Sequence, residues 1–270
     1  MRPLRLISSI TMLACALSIG LLAQVGTTPA SSFSPISVPD LTVSRLIPRL
    51  SQEVALVAYE RGLRKQSSEL AGYTATTVID AELPDSAQKA ELEVKRHYAA
   101  PSVLEFTPLN STGDKFVKSN VIVRLLQSEV DHVRKQEQSQ TAIDSDNYKF
   151  SYKGTSDLNG IPALVYEVKP RQKRVGLFKG KIYLEDTTGH LLRAQGTITK
   201  TPSFFIKRIK FTQDYAIVAG FTLPTHTHSE ADTRLVGKAI VDIVHRDYQP
   251  QISSADDSQP VSIASADGAY

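Results

Sequence analysis

From Asn147 to Gln249 apolar and polar side chains alternate along most of the chain. Tyr148, Phe150 and Tyr152 are interleaved with Lys149, Ser151 and Lys153. Leu164, Tyr166 and Val168 keep the same period, as do Ile182 with Leu184, and Leu192, Ala194, Gly196 and Ile198. A period of two puts alternate side chains on one face of a strand, so these segments predict a sheet with one apolar face. The predicted strands lie near 147–153, 162–169, 178–186, 190–200, 205–215, 218–223 and 234–247. Asp157-Leu158-Asn159-Gly160 and Asp186-Thr187-Thr188-Gly189 supply turn chemistry between them.

The first half of the chain mixes periods. Leu50, Val54, Val57 and Arg61 fall on one side of a helix predicted over 46–61, with Pro48 in its first turn and Gly62 as its stop. Tyr73 to Leu83 alternates weakly. Ala90, Leu92, Val94 and Tyr98 alternate better against charged neighbours, and 103–109 is a third strand candidate. The most regular helix spans 115–136. Val117, Val121, Ile122, Leu125, Leu126, Val130 and Val133 form a broad apolar stripe, with Thr112 or Asp114 as its cap. That stripe needs an apolar partner. It serves either as a lid, through Val121, Leu125 and Val130, or as plain helix-on-sheet packing. The pattern is mainly β with helices, an α+β class.

Composition adds a location. Arg2 and Arg5 precede an almost uncharged run from Leu6 to Ala23, and small residues at Ala23, Thr28 and Ala30 suit a signal peptidase. Residues 1–30 read as a cleaved export signal and 31–40 as a linker. Residues 41–249 are the domain and 250–270 a tail poor in apolar residues. The expected location is a periplasm. Membrane attachment through an uncleaved signal, or through a lipidated Cys15, is the alternative. Cys15 is the only cysteine, so the domain itself has no disulfide, thiol nucleophile or thiolate metal site. The chain carries 31 Lys+Arg against 28 Asp+Glu, and two of the arginines belong to the signal. No field of one sign dominates the remainder, which argues against nucleic acid as a partner.

Catalytic signatures are missing. The sequence has no GxSxG, no HExxH and no glycine fingerprint after an early strand, and no cofactor is implied. Asp144 with Asp146, Glu185 with Asp186, and Asp256 with Asp257 are close in sequence but lie in turn or tail contexts. His226 and His228 share a strand face with Glu230 and Asp232, in a segment that reads as a loop or an edge. Zinc asks for three or four converging ligands, and no metal site is expected there.

The order of four segments resembles a known family. Phe178-Lys179-Gly180-Lys181-Ile182-Tyr183-Leu184 is followed by Gly189-His190-Leu191-Leu192-Arg193-Ala194. Then come Phe211-Thr212-Gln213-Asp214-Tyr215 and Gly220-Phe221-Thr222-Leu223-Pro224. These are similar to the outer-membrane lipoprotein-sorting and carrier superfamily over about 45–249, especially its uncharacterised secreted members. The resemblance implies an unclosed antiparallel β-barrel of about eleven strands, with amphipathic helices covering the concave face. It also implies a non-enzymatic hollow that takes acyl chains, and an arginine that holds the lid. Arg61, Arg64 and Arg124 are all candidates for that arginine.

On this footing Tyr148, Phe150, Tyr152, Tyr166, Leu184, Leu192, Phe211, Phe221 and Val241 are the expected lining of an apolar site. Arg171, Lys173, Arg174, Lys179 and Lys181 surround Val175-Gly176-Leu177-Phe178, an apolar tip that would meet anionic headgroups. The expected function is periplasmic binding or carriage of a lipid, or of the acyl chains of a lipoprotein. Two alternatives stand beside it: an envelope interaction or sensing module with a self-filled barrel, and a hydrolase acting on lipid or glycan. The expected partners are a lipid or acylated lipoprotein, an anionic membrane surface in passing, and an envelope protein.

Overall fold

The computed structural model describes residues 48–253. The expectations for the leader, Cys15, the 31–40 linker and the chain beyond 253 lie outside the described residues. Ten strands make one sheet: β1 (Leu70–Leu83), β2 (Gln88–Ala99), β3 (Val103–Gly113), β4 (Tyr148–Leu158), β5 (Ile161–Pro170), β6 (Phe178–Glu185), β7 (Leu191–Ile198), β8 (Ile206–Val218), β9 (Phe221–Thr233) and β10 (Lys238–Ile252). Their order is β3-β2-β1-β10-β9-β8-β7-β6-β5-β4, and adjacent strands run antiparallel. The described residues thus hold ten strands, against the eleven or so implied by the resemblance. Among the described residues β3 and β4 are the edges and do not pair with each other, so the sheet is an unclosed half-barrel.

The chain builds this sheet as two meanders. β1 to β3 form the first and β4 to β10 the second, and β10 returns to pair with β1. Ile79 lies opposite Ile243 and Ala81 opposite Val241. β9 is far longer than the expected 218–223. Its polar stretch from Thr225 to Glu230 sits between β8 and β10, so both edges of its backbone are hydrogen-bonded. Thr227 and Ser229 face the same side as Phe211 and Ile243, while His226 and His228 face outward. That stretch is an interior strand, not a loop or an edge. β10 runs three residues past the expected 249 boundary, to Ile252.

Helix α1 spans Gln52–Glu69, later than the expected 46–61. Ser51 is its N-cap, and the hydroxyl accepts the Val54 N–H at 3.4 Å. Gly62 lies inside the helix and does not end it. A glycine there costs about 1 kcal/mol relative to alanine, and buried Ala55, Tyr59 and Gln66 on the packed face outweigh that. The second helical region begins at α2 (Lys115–Val117), where Asp114 accepts the Val117 N–H at 2.9 Å. It continues through a π turn (Lys118–Ile122) into α3 (Val123–Arg134), and a short α4 (Gln138–Thr141) follows.

The apolar stripe of this region lies on the concave face. Val117, Val121, Ile122, Leu125 and Leu126 join Ile79, Leu92, Tyr166, Leu184 and Phe211 in one buried cluster. A second, smaller cluster joins Leu70, Tyr73, Tyr98, Leu104, Val133 and Phe221, with Val130 against it. One glycine pair shapes the wall. Gly180 lies opposite Gly196, and a Cβ at either would meet the neighbouring strand's backbone within 2.4 Å. β6 and β7 therefore close on each other along the concave side, where no side chain fits.

Candidate ligand-binding site

The strands have two distinct ends. β1, β3, β5, β7 and β9 begin at one, called the mouth; the β1–β2 and β9–β10 turns mark the other. Helix α1 crosses the mouth. Its first turn is tied to β5, because the Tyr166 hydroxyl donates to the Gln52 carbonyl at 2.5 Å. Burial, with Tyr152 and Glu53 nearby, pushes the Tyr166 hydroxyl up to about 12, so it remains a donor. Its last turn is tied to β9, where Gln66 accepts the Thr222 N–H at 3.2 Å. Midway, the Tyr59 hydroxyl donates to the Ile143 carbonyl at 2.8 Å.

Between α1, the α3–α4 segment and the mouth end of the sheet lies a hollow of about 570 Å³. That lies within the range of about 300–1,000 Å³ usual for small-ligand sites. Tyr59, Leu63, Leu70, Val133, Leu191 and Tyr215 supply its apolar wall. Exposed Arg64, Ser145 and Asp146 border it on the solvent side. No buried side-chain nitrogen or oxygen among the described residues lacks a hydrogen-bond partner. The wall is mixed: Gln66, Arg96, Gln136 and Thr222 lie among the apolar residues that line it.

Arg96 stands at the base of this hollow. It projects inward from β2 and is buried. One guanidinium nitrogen lies 2.6 Å from Glu129 of α3, and Nε donates to the Tyr73 hydroxyl at 3.0 Å. The guanidinium also faces the Phe106 ring at 5.3 Å. Burial works against its charge, yet Tyr73 and Glu129 more than offset this and hold its pKa above the ordinary value. The result is a buried charged bond between the sheet and the covering helix. Arg96, and not Arg61, Arg64 or Arg124, occupies this place. The signal was present in the sequence: Arg96 falls on the inward beat of Ala90, Leu92, Val94 and Tyr98.

His245 adjoins the same group. Its Nδ1 lies 2.9 Å from the Thr77 hydroxyl, and its ring is 6.3 Å from that of Tyr248. Burial, aided by the Arg96 charge, pulls its pKa down to about 3. The folded protein therefore holds this imidazole neutral, while the unfolded chain protonates it near pH 6.5. Stability from His245 is complete above pH 6.5 and is lost as pH falls from there toward 3, at up to about 1.4 kcal/mol per pH unit. Urea unfolding of the parent chain should weaken between pH 7 and 4 relative to His245→Asn. Parallel curves would exclude an imidazole that the fold holds neutral.

The expected lining residues lie elsewhere. Tyr148, Tyr166, Leu184 and Phe211 are in the main cluster, with Phe150 and Val241 packed against it, and Phe221 is in the smaller one. None of the nine borders the hollow. Most of them share the main buried cluster with the α2–α3 stripe, and the gap beside Phe178 and Phe211 is too small for water. Tyr152 is 40% exposed because β4 is an edge strand among the described residues. Leu192 is displaced by a bulge opposite Tyr183 and Leu184, which gives the inward position to Leu191.

The apolar tip at Val175-Gly176-Leu177-Phe178 is also corrected. Leu177 and Phe178 are 1% exposed and belong to the core, so this loop has no tip to offer a membrane. Arg171 donates to the Ser145 carbonyl at 2.8 Å and Arg174 to the Gln140 carbonyl at 3.2 Å, tying the loop to the α4 region. Lys173 is exposed on the loop, and Lys179 and Lys181 are exposed on the outer face of β6. His226 and His228 share one oxygen of Asp242, at 3.2 and 2.9 Å. Glu230 pairs with Lys238, and Asp232 with Arg208. Among the described residues no group of three or more His, Cys, Asp or Glu is arranged to hold a metal ion. Asp144 serves its own turn by accepting from the Asn147 backbone and side chain, and burial raises its pKa. No described helix is long and apolar enough to cross a membrane.

A family of unknown function, DUF5686, matches residues 141–246. No curated protein matches the chain. Among solved structures, an outer-membrane lipoprotein-sorting protein domain from Vibrio parahaemolyticus aligns at 10% identity. It covers 77% of this chain and 96% of its own, with a TM-score of 0.39. A LolA superfamily protein from Nitrosomonas europaea aligns at 10% identity over 75% of this chain and 94% of its own, with a TM-score of 0.37. A DUF1329 family protein from Desulfovibrio piger aligns at 12% identity over 76% and 95%, with a TM-score of 0.38.

Proposed function

We propose that this chain is a periplasmic carrier that takes an acyl chain of a lipid, or of an acylated lipoprotein, into the hollow between α1 and α3–α4. The observation that carries this reading is the 570 Å³ hollow itself, largely apolar on its inner wall and bordered by charged side chains on its solvent side. Each methylene moved from water onto such a wall contributes about 0.8 kcal/mol, so a chain of ten or so supplies a gross gain of about 8 kcal/mol. The headgroup would remain among Arg64, Ser145 and Asp146. In this account Arg96 and Glu129 hold α3 against the sheet, and guest entry displaces the α4 region or α1 while the central core remains packed.

The test is direct. Protein purified without detergent should release lipid into organic solvent, seen by mass spectrometry, and after extraction should bind a fluorescent fatty acid with micromolar or better affinity. A clean extract together with no fatty-acid binding would remove the carrier reading. A second reading has one supporting observation, the edges β3 and β4, which have no strand partner on their outer side among the described residues. Either edge can accept an extended segment of an envelope protein as an added strand.

A further inference from the structure

We propose that the end of the half-barrel opposite the mouth docks on an anionic phospholipid bilayer, with Phe204 and Leu235 as the inserting side chains. This does not rest on the carrier reading. Phe204 is 76% exposed and Leu235 60%, the two highest values among the large apolar side chains described. They sit on different loops. Phe204 lies between β7 and β8, and Leu235 in the turn between β9 and β10.

Arg234 joins the two loops into one unit. Its backbone N–H donates to the Phe205 carbonyl at 2.8 Å, its Nε donates to the Phe204 carbonyl at 2.9 Å, and its guanidinium lies 4.6 Å from the Phe204 ring centre. A ring with a cation stacked on it suits the boundary between acyl chains and headgroups: the ring enters and the charge stays with the phosphates. Because the loops are already hydrogen-bonded together, insertion has little ordering cost to overcome.

Charge identifies the occupant. Asp232 is held by Arg208 and Glu230 by Lys238, and Asp85 accepts the Lys238 backbone N–H at 3.3 Å. Lys200, Lys207 and Arg234 have no carboxylate within ion-pair distance among the described residues. The surplus at this end is positive, and anionic headgroups complement it. Two apolar tips cannot supply the roughly 800 Å² per partner of a stable protein interface, whereas interfacial insertion needs only a few apolar side chains flanked by cations. The hollow is lined by Leu70, Tyr98 and Thr222 from the other strand ends, so a docked molecule keeps it turned away from the bilayer.

The chain contains no tryptophan, so Phe204→Trp in the full chain gives a site-specific reporter. The probe is a vesicle of phosphatidylcholine with about one-third phosphatidylglycerol. The indole emission should move to shorter wavelength on vesicle addition, and brominated acyl chains should quench it. Leu235→Ser in that background should weaken the response about tenfold with thermal unfolding unchanged, because Leu235 is exposed and makes no tie between the loops. Lys207→Glu, an exposed cation without a carboxylate partner among the described residues, should weaken it through charge alone. Vesicle binding with an unmoved indole would overturn the proposal, since attachment would then lie elsewhere, for instance in the N-terminal segment. An equal response to vesicles of phosphatidylcholine alone would also overturn it, as would a response only to an envelope protein extract. Fatty-acid binding is read separately in the same variants, so failure of docking leaves the carrier reading standing.

Discussion

Arg96→Met should lower the unfolding free energy by about 3–5 kcal/mol, the usual cost of leaving one partner of a buried ion pair uncompensated. Glu129, only 7% exposed, would lose its cation, and Tyr73 and Phe106 would lose a hydrogen bond and a stacked charge. The measurement is the urea midpoint near neutral pH with the slope checked for constancy. The informative companion is the double variant Arg96→Met with Glu129→Leu. Apolar replacement of a whole buried pair is often neutral or stabilising, so the double variant should recover most of the loss. A single variant costing under about 1 kcal/mol would mean that the pair does not hold α3 to the sheet. A functional consequence follows on the carrier reading. The double variant, lacking the charged bond but folded, should take up fatty acid faster than the parent.

Ala142→Trp should abolish most acyl-chain binding with little effect on stability. Ala142 lines the hollow just after α4 and is half-buried, so a bulky ring there grows into open space and does not invade the core. Shutting out about four methylenes forfeits roughly 3 kcal/mol, or about a hundredfold in affinity. Unfolding should shift by less than about 1 kcal/mol. Leu63→Trp, entering the same hollow from α1, should give the same result. Unchanged affinity in both folded variants would show that the guest binds somewhere other than this hollow.

The two predictions concern residues with very different visibility in the sequence. Arg96 keeps the inward period of β2, so its depth was readable from its neighbours. Its partner was not, because Glu129 is one polar position on a helix that meets β2 only through the fold. Ala142 carries no pattern at all. The expected lining residues illustrate the opposite case. Tyr148, Tyr166, Leu184 and Phe211 alternate as a buried face should, and they are buried. Periodicity reports that a side chain leaves water, and it does not distinguish contact with a ligand from contact with a helix of the same chain. Likewise Leu177 and Phe178 looked like a loop tip amid cations, yet the turn carries them inward, while Phe204 and Leu235 stand out in solvent.

By itself the sequence determined the local features: which face of most strands is apolar, where the covering helix lies, and that the domain lacks cysteine. These follow from side-chain periods and from composition, which need no knowledge of distant contacts. Only the tertiary structure decided the pairing of β10 with β1, the burial of Arg96 against Glu129, and the site of the empty space. Pairing across more than 150 residues is set by global closure of the sheet. A hollow is the volume that packed elements fail to fill, and no single segment encodes it.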